Sequence, residues 1–139
     1  MAKISIATAK RRIIFAADEG VREVFIAEAN RVVRNTPVVT GTTVANWVVG
    51  LGRKSRKKPN LRKRDPSASS VRADIEAKVR GKPVRKKTFF TNSVPWMRTL
   101  EFGKGKRAPK AIVRRVRAAH RRIVNEAAAK VRRKAESIR

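Results

Sequence analysis

The chain has 139 residues, of which 37 are Lys or Arg and 10 are Asp or Glu, giving a formal charge of +27. That length is one domain's worth with room for one modest core, and so large a surplus repels itself in a compact monomer, so an anionic partner is expected. The lack of cysteine excludes disulfides, thiolate zinc sites and cysteine nucleophiles, and no segment approaches the roughly 20 apolar residues that span a bilayer.

The pattern predicts a first helix over 8–34, opened by Thr8 as a cap. The apolar run Ile4 to Ala9 is short, is interrupted by Ser5 and Thr8, and lacks an export-cleavage pattern, while Asp18 and Glu19 are out of place in a transit peptide. A soluble protein made in the cytoplasm is the expectation. Within the helix Ile14, Ala17, Val21, Val24, Phe25, Ala29 and Val32 recur every three to four residues and are predicted to face the core. Phe15, Ile26 and Val33 form a second stripe with Arg22 between them, a candidate subunit interface; scattered surface hydrophobes are the other reading. Gly20 costs about 1 kcal/mol relative to Ala inside a helix and would mark a bend or a close packing.

Pro37 stops that helix, Gly41 supplies a turn, and the period then alternates, predicting a strand over 42–52 with Ala45, Trp47, Val49 and Leu51 on the buried face. The next block, 53–66, carries Arg53, Lys54, Arg56, Lys57, Lys58, Arg62, Lys63 and Arg64 with no acid before Asp65. Such a block reads as a mobile basic loop that orders against nucleic acid or an acidic protein; a merely solvated loop is the bland alternative.

A short helix over 67–79 follows, capped by Ser67 or Ser69, with Val71, Ile75 and Val79 inward and Gly81 at its end. A second strand over 84–92 puts Val84, Lys86, Thr88 and Phe90 on one face; Phe89 and Phe90 could stack on bases, but core packing is favoured. A short helix over 94–102 has Pro95 at its first position, Trp96 and Leu100 on one face, and a hinge at Gly103 and Gly105. Glu101 is a candidate partner for a nearby arginine. The last helix, 109–138, buries Ile112, Val116, Ala119, Ile123, Ala127 and Val131 and stacks Lys110, Arg114, Arg117 and Arg121 on its opposite face. That ladder suits a phosphate backbone or an acidic protein surface. Beyond Ala127 the helix is expected to outrun the body.

The chemistry of catalysis is missing. His120 is the sole histidine and has no carboxylate at helical spacing to orient it. The runs Gly50 to Ser55 and Gly103 to Lys106 lack the spacing of a phosphate-binding loop, and acids are too sparse for a carboxylate dyad or a magnesium site. A non-enzyme without a cofactor is the expectation.

Three segments, in order, resemble the signatures of the tail-completion (neck) proteins of long-tailed bacteriophages. The first is Thr36-Pro37-Val38-Val39-Thr40-Gly41 followed by Ala45-Asn46-Trp47; the second is Thr91 to Gly103, containing Pro95, Trp96, Leu100 and Gly103; the third is Ala108-Pro109 opening the final helix. Val39 stands where the family often carries an acid. The resemblance implies an α+β subunit with a long N-terminal helix, a small sheet with a short helical insertion, and a long C-terminal helix. It also implies a virion protein that forms a homomeric ring joining head connector to tail around the DNA channel, with other phage connector and tail proteins and non-specific DNA as partners and no membrane. A general nucleic-acid-binding protein of ribosomal or nucleoid type is the alternative, favoured by composition alone. Against it, few aromatic residues lie beside the basic runs.

Overall fold

A computed structural model describes residues 4–81 and 87–138. The architecture is α+β: α1 (Ile6–Asn35), α2 (Thr42–Ala45), β1 (Trp47–Leu51), α3 (Ser69–Arg80), β2 (Thr88–Asn92), α4 (Met97–Phe102), α5 (Ile112–Ala118) and α6 (His120–Glu136). The strands pair antiparallel, with Trp47 opposite Asn92 and Leu51 opposite Thr88. Along α1 the partners on the last two helices descend: Arg12 donates to the Ile138 carbonyl, Glu23 meets Lys130, Arg31 meets Glu126 and Asn35 donates to the Ile112 carbonyl. The two long rods therefore run antiparallel, and α3 and the sheet close the core against the C-terminal half of α1.

Burial in α1 corrects the predicted stripes. Ile26 and Val33 are buried in the core beside Ala29 and Val32, whereas Ile14 and Val21 are 52% and 55% exposed. The inward line continues from Ile26 not to another hydrophobe but to Glu23 and Glu19, both buried. A reading that puts acids outward rotates the N-terminal half of the helix. Burying a carboxylate is costly unless it is paired, and these two are paired.

The predicted strand over 42–52 starts later. Gly41 sits at φ 81°, the Ala45 N–H closes a helical turn on the Gly41 carbonyl, and the Asn46 amide donates to the Thr42 carbonyl. These bonds hold Thr42–Ala45 as α2 despite their β-branched content, so the strand begins at Trp47. The Trp47 face is buried as expected: Trp47 stacks on Phe90 at 4.8 Å, and Phe25 meets Phe90 edge-on at 6.3 Å. Phe90, half-buried, thus packs against the core. Val84 and Lys86 of the predicted second strand lie outside the described residues.

Three helix boundaries also shift. α3 begins at Ser69, after Ala68 at φ 59°; the Ser67 hydroxyl accepts from the Ser69 N–H at 3.4 Å, and the buried Asp65 carboxylate, not foreseen as a cap, accepts from the Val71 N–H at 3.0 Å. Pro95 and Trp96 form a turn ahead of α4, so Pro95 is not the first helical residue. The last helix starts at Ile112, after Ala111 at φ 49°, leaving Lys110 outside it. It pauses at Ala119, whose N–H is shared between the Arg115 and Val116 carbonyls. The predicted apolar stripe passes through this pause intact. Past Ala127, Val131 and Ala135 are buried, so the end of α6 does not outrun the body.

Candidate functional site

The signature segments converge. Trp47 donates through its indole N–H to the Thr36 hydroxyl at 2.9 Å, and Thr36 Oγ1 in turn bonds the Val32 carbonyl. Thr43 receives two bonds from the second segment: the Asn92 amide on its carbonyl and the Trp96 indole N–H on its hydroxyl, both at 2.8 Å. Pro37, Gly41, Trp96 and Leu100 line one shallow hollow. Gly103, at φ 76°, has no room for a Cβ, which would lie 2.9 Å from the Pro109 nitrogen, and the Lys110 N–H bonds the Leu100 carbonyl at 2.7 Å. Segments remote in sequence are thus tied into one knot at the end of α1.

The basic loop, expected to be mobile, is tied to the body at Asn60 and at Asp65. Asn46, itself buried, donates from Nδ2 to the Asn60 carbonyl at 3.0 Å and accepts the Asn60 N–H on Oδ1 at 2.8 Å. At the loop's far end the Asp65 N–H bonds the Gly41 carbonyl, while a Cβ on Gly41 would fall 2.5 Å from the Pro66 nitrogen. The anchors are backbone and amide groups, which leaves the charges outside. Arg53, Lys54, Arg56, Lys57, Lys58, Arg62, Lys63 and Arg64 are all exposed, and no ion pair engages any of them among the described residues.

The predicted ladder divides. Arg114 bonds the Glu101 carboxylate at 3.3 Å and the Glu101 carbonyl at 2.6 Å, and its guanidinium lies 5.0 Å from the centre of the Phe102 ring. Glu101 also accepts the N–H groups of Val113 and Arg114, so it caps α5 from another segment. Burial pushes its carboxyl up, but those two N–H groups and the Arg114 side chain outweigh it and hold the carboxyl below the usual range. Arg117 and Arg121 remain exposed on α5 and α6, and Lys110 is exposed before them. Loop and ladder are carried by different elements, and no hydrogen bond joins them among the described residues.

The junction of α1, α3 and α6 escaped the sequence reading. Arg80 reaches Glu19 at 3.1 Å, Glu23 at 2.9 Å and Glu76 at 2.6 Å; Lys130 meets Glu23 at 2.7 Å, and Lys134 lies 3.4 Å and 3.5 Å from Glu19 and Glu23. Burial alone would raise the Glu23 carboxyl, yet the bonds from Lys130 and Arg80 prevail and bring it to about 2. Bonds to Glu23 first, then Glu76, raise the Arg80 guanidinium above its ordinary value. Two acids spaced i, i+4 in so basic a chain were the available signal. His120 is likewise not alone, because Glu28 comes from α1 to its Nδ1. Among the described residues no group of three or more His, Cys, Asp or Glu is placed to hold a metal.

Of the four candidate interface residues, Ile26 and Val33 belong to the core, Phe15 is half-buried, and Arg22 is partly buried beside Glu19 at 3.6 Å. An apolar face without cover lies instead in the groove between α1 and α6. Ile13 and Ala16 line one end and Val21, Val24, Val124 and Ala128 the middle; Ile13 is 69% exposed.

No family model matches the chain, and no curated protein or solved structure matches it either. What the molecule can do is therefore read from its surfaces: a pinned loop of uncompensated cations, a second cationic row, and an uncovered apolar groove.

Proposed function

We propose that this chain is a structural virion protein of the phage neck or tail-completion type, forming a homomeric ring that joins head connector to tail around the DNA channel. It works by assembly and not by turnover. The observation that carries the reading is the knot at Thr36, Thr43, Trp47, Asn92 and Trp96. Segments that resemble the first two family signatures are bonded to each other in space, and Lys110, just past the third, bonds the Leu100 carbonyl of the second, as expected if they are parts of a single conformational device. Two surfaces supply the contacts that a ring needs. The α1/α6 groove, with exposed Ile13 and Val21, offers an apolar subunit contact in place of the Ile26 and Val33 stripe. The pinned loop and the Arg117 and Arg121 row offer cations to DNA in the lumen or to acidic faces of adjoining rings.

The test is sizing chromatography with light scattering in high salt, which screens nucleic-acid contacts. A defined ring free of nucleic acid is the expected result, and Val21→Asp with Ile13→Asp should reduce it to folded monomers. A monomer with steeply salt-dependent binding to any duplex would overturn the neck reading in favour of a general nucleic-acid-binding protein, which the free cations alone also accommodate.

A further inference from the structure

Beneath the basic loop, between it, the start of α3 and the edge of the sheet, lies a cleft of about 200 Å³. Its cations are Lys57, Lys58 and Lys63 from the loop and Lys78 from α3. Lys78 is paired with Asp74, also in the wall, at 3.0 Å, so these two largely cancel. The three loop lysines form no ion pair among the described residues, Asp74 being engaged by Lys78. Ser70 on α3, Thr91 on β2 and Ser93 just beyond it also line the cleft, and their hydroxyls make no hydrogen bond within the described residues. Because Asp65 and Ser67 already satisfy the Val71 and Ser69 N–H groups, the lysines and not the helix end give the cleft its charge.

We propose that this cleft is a binding site for a single phosphoryl group, carried on a nucleic-acid backbone or free as inorganic phosphate. The cations suit such a ligand. The neighbouring loop has four arginines, Arg53, Arg56, Arg62 and Arg64, yet none lines the cleft. Lysine is a compact charge that can approach a tetrahedral oxyanion from any side, whereas an arginine fork would bind a carboxylate or a phosphate through two parallel bonds. Lysines from the loop and hydroxyl residues from α3 and the sheet edge line one cleft, so donors from three elements are available to a tetrahedral anion. The volume of about 200 Å³ equals about seven waters at ~30 Å³ each, which admits a phosphoryl group with its ester substituent. The Asn46–Asn60 clamp holds the lysine-bearing wall against the sheet before any ligand arrives, so little ordering cost falls on binding. The inference deepens the polyanion side of the proposed function and does not depend on ring formation.

The experiment titrates the full chain with sodium phosphate, and separately with an eight-nucleotide single-stranded DNA, at constant ionic strength, following backbone amides by NMR. Two variants with equal charge loss are compared: Lys58→Gln with Lys63→Gln in the cleft, and Lys10→Gln with Arg11→Gln at the opposite end of α1. Expected are saturable shifts at Ser55, Ser70 and Ser93, weakened at least about tenfold in the cleft variant and unchanged in the distal one. Saturation by inorganic phosphate marks a free-anion site, while saturation by DNA alone marks a backbone site. Equal weakening in both variants would reduce the effect to net charge and overturn the site, as would equally good competition by poly-glutamate. DNA binding that stays salt-dependent but ignores the cleft variant would sink the cleft while leaving the polyanion surface intact.

Discussion

Two clusters of cations in this protein have opposite fates. At the junction of α1, α3 and α6, Arg80, Lys130 and Lys134 converge on the buried Glu19 and Glu23. On the loop from Arg53 to Arg64, eight cations stand in solvent with no acid among the described residues to meet them. The chain has 10 acids for 37 cations, so the acids decide which cations are structural. Where a carboxylate is buried, its partners become part of the fold; where none is near, the cation remains available for another molecule. Position in an element says little about this. Arg114 and Arg117 share a helix, yet Glu101 captures the first and leaves the second exposed.

The largest effect should come from breaking the junction. Glu23→Ala leaves Lys130 without its acceptor and crowds Arg80 and Lys134 onto Glu19, and is expected to lower the unfolding free energy by about 3 kcal/mol in urea denaturation. A loss below about 1 kcal/mol would mean that solvent already screens the junction as it screens a surface pair. Acid should act through the same residue. The Glu23 carboxyl falls from its ordinary 4.5 to about 2 on folding, so the unfolded chain takes up this proton first as pH drops. The stabilisation is complete above about pH 4.5 and is lost as pH falls toward 2. Glu23→Gln should flatten that part of the stability profile; an unchanged slope would assign the acid sensitivity elsewhere, to Glu101 first.

Smaller losses should follow at the two devices that position the exposed cations. Glu101→Ala removes the cap of α5 and should cost about 1–2 kcal/mol, with faster amide exchange at Val113 and Arg114 as its local signature. Asn46→Ala should cost about 1–2 kcal/mol and release the loop, read as trypsin cleavage between Arg53 and Arg64 that outpaces global unfolding. Cleavage no faster than in the parent would show that the Asn46–Asn60 clamp is not what holds the loop. The smallest effect on stability belongs to the loop cations themselves. Replacing Lys57, Lys58, Arg62 and Lys63 by Gln should change the unfolding free energy by no more than about 0.5 kcal/mol, while the salt dependence of DNA binding becomes shallower. Loss of fold in that variant, seen by circular dichroism, would erase the contrast between the two clusters.

Much of the architecture was legible in the residues. The α+β order, the helix stop at Pro37, the buried Trp47 face, the apolar stripe from Ile112 to Val131 and the exposed basic block follow from periodicity, backbone chemistry and charge, which act locally. Tertiary structure alone decided the rest. It turned Ile26 and Val33 inward along with Glu19 and Glu23, because cations from two other helices arrive to pair the acids. It pinned the basic loop through Asn46 and Asn60, and it gave α3 and α5 their caps from Asp65 and Glu101. Each of these depends on a partner distant along the chain or, for the caps, on a backbone turn that aims a carboxylate at a helix end. A pattern of hydrophobicity records which side chains avoid water, but not which polar groups will meet once the chain has closed.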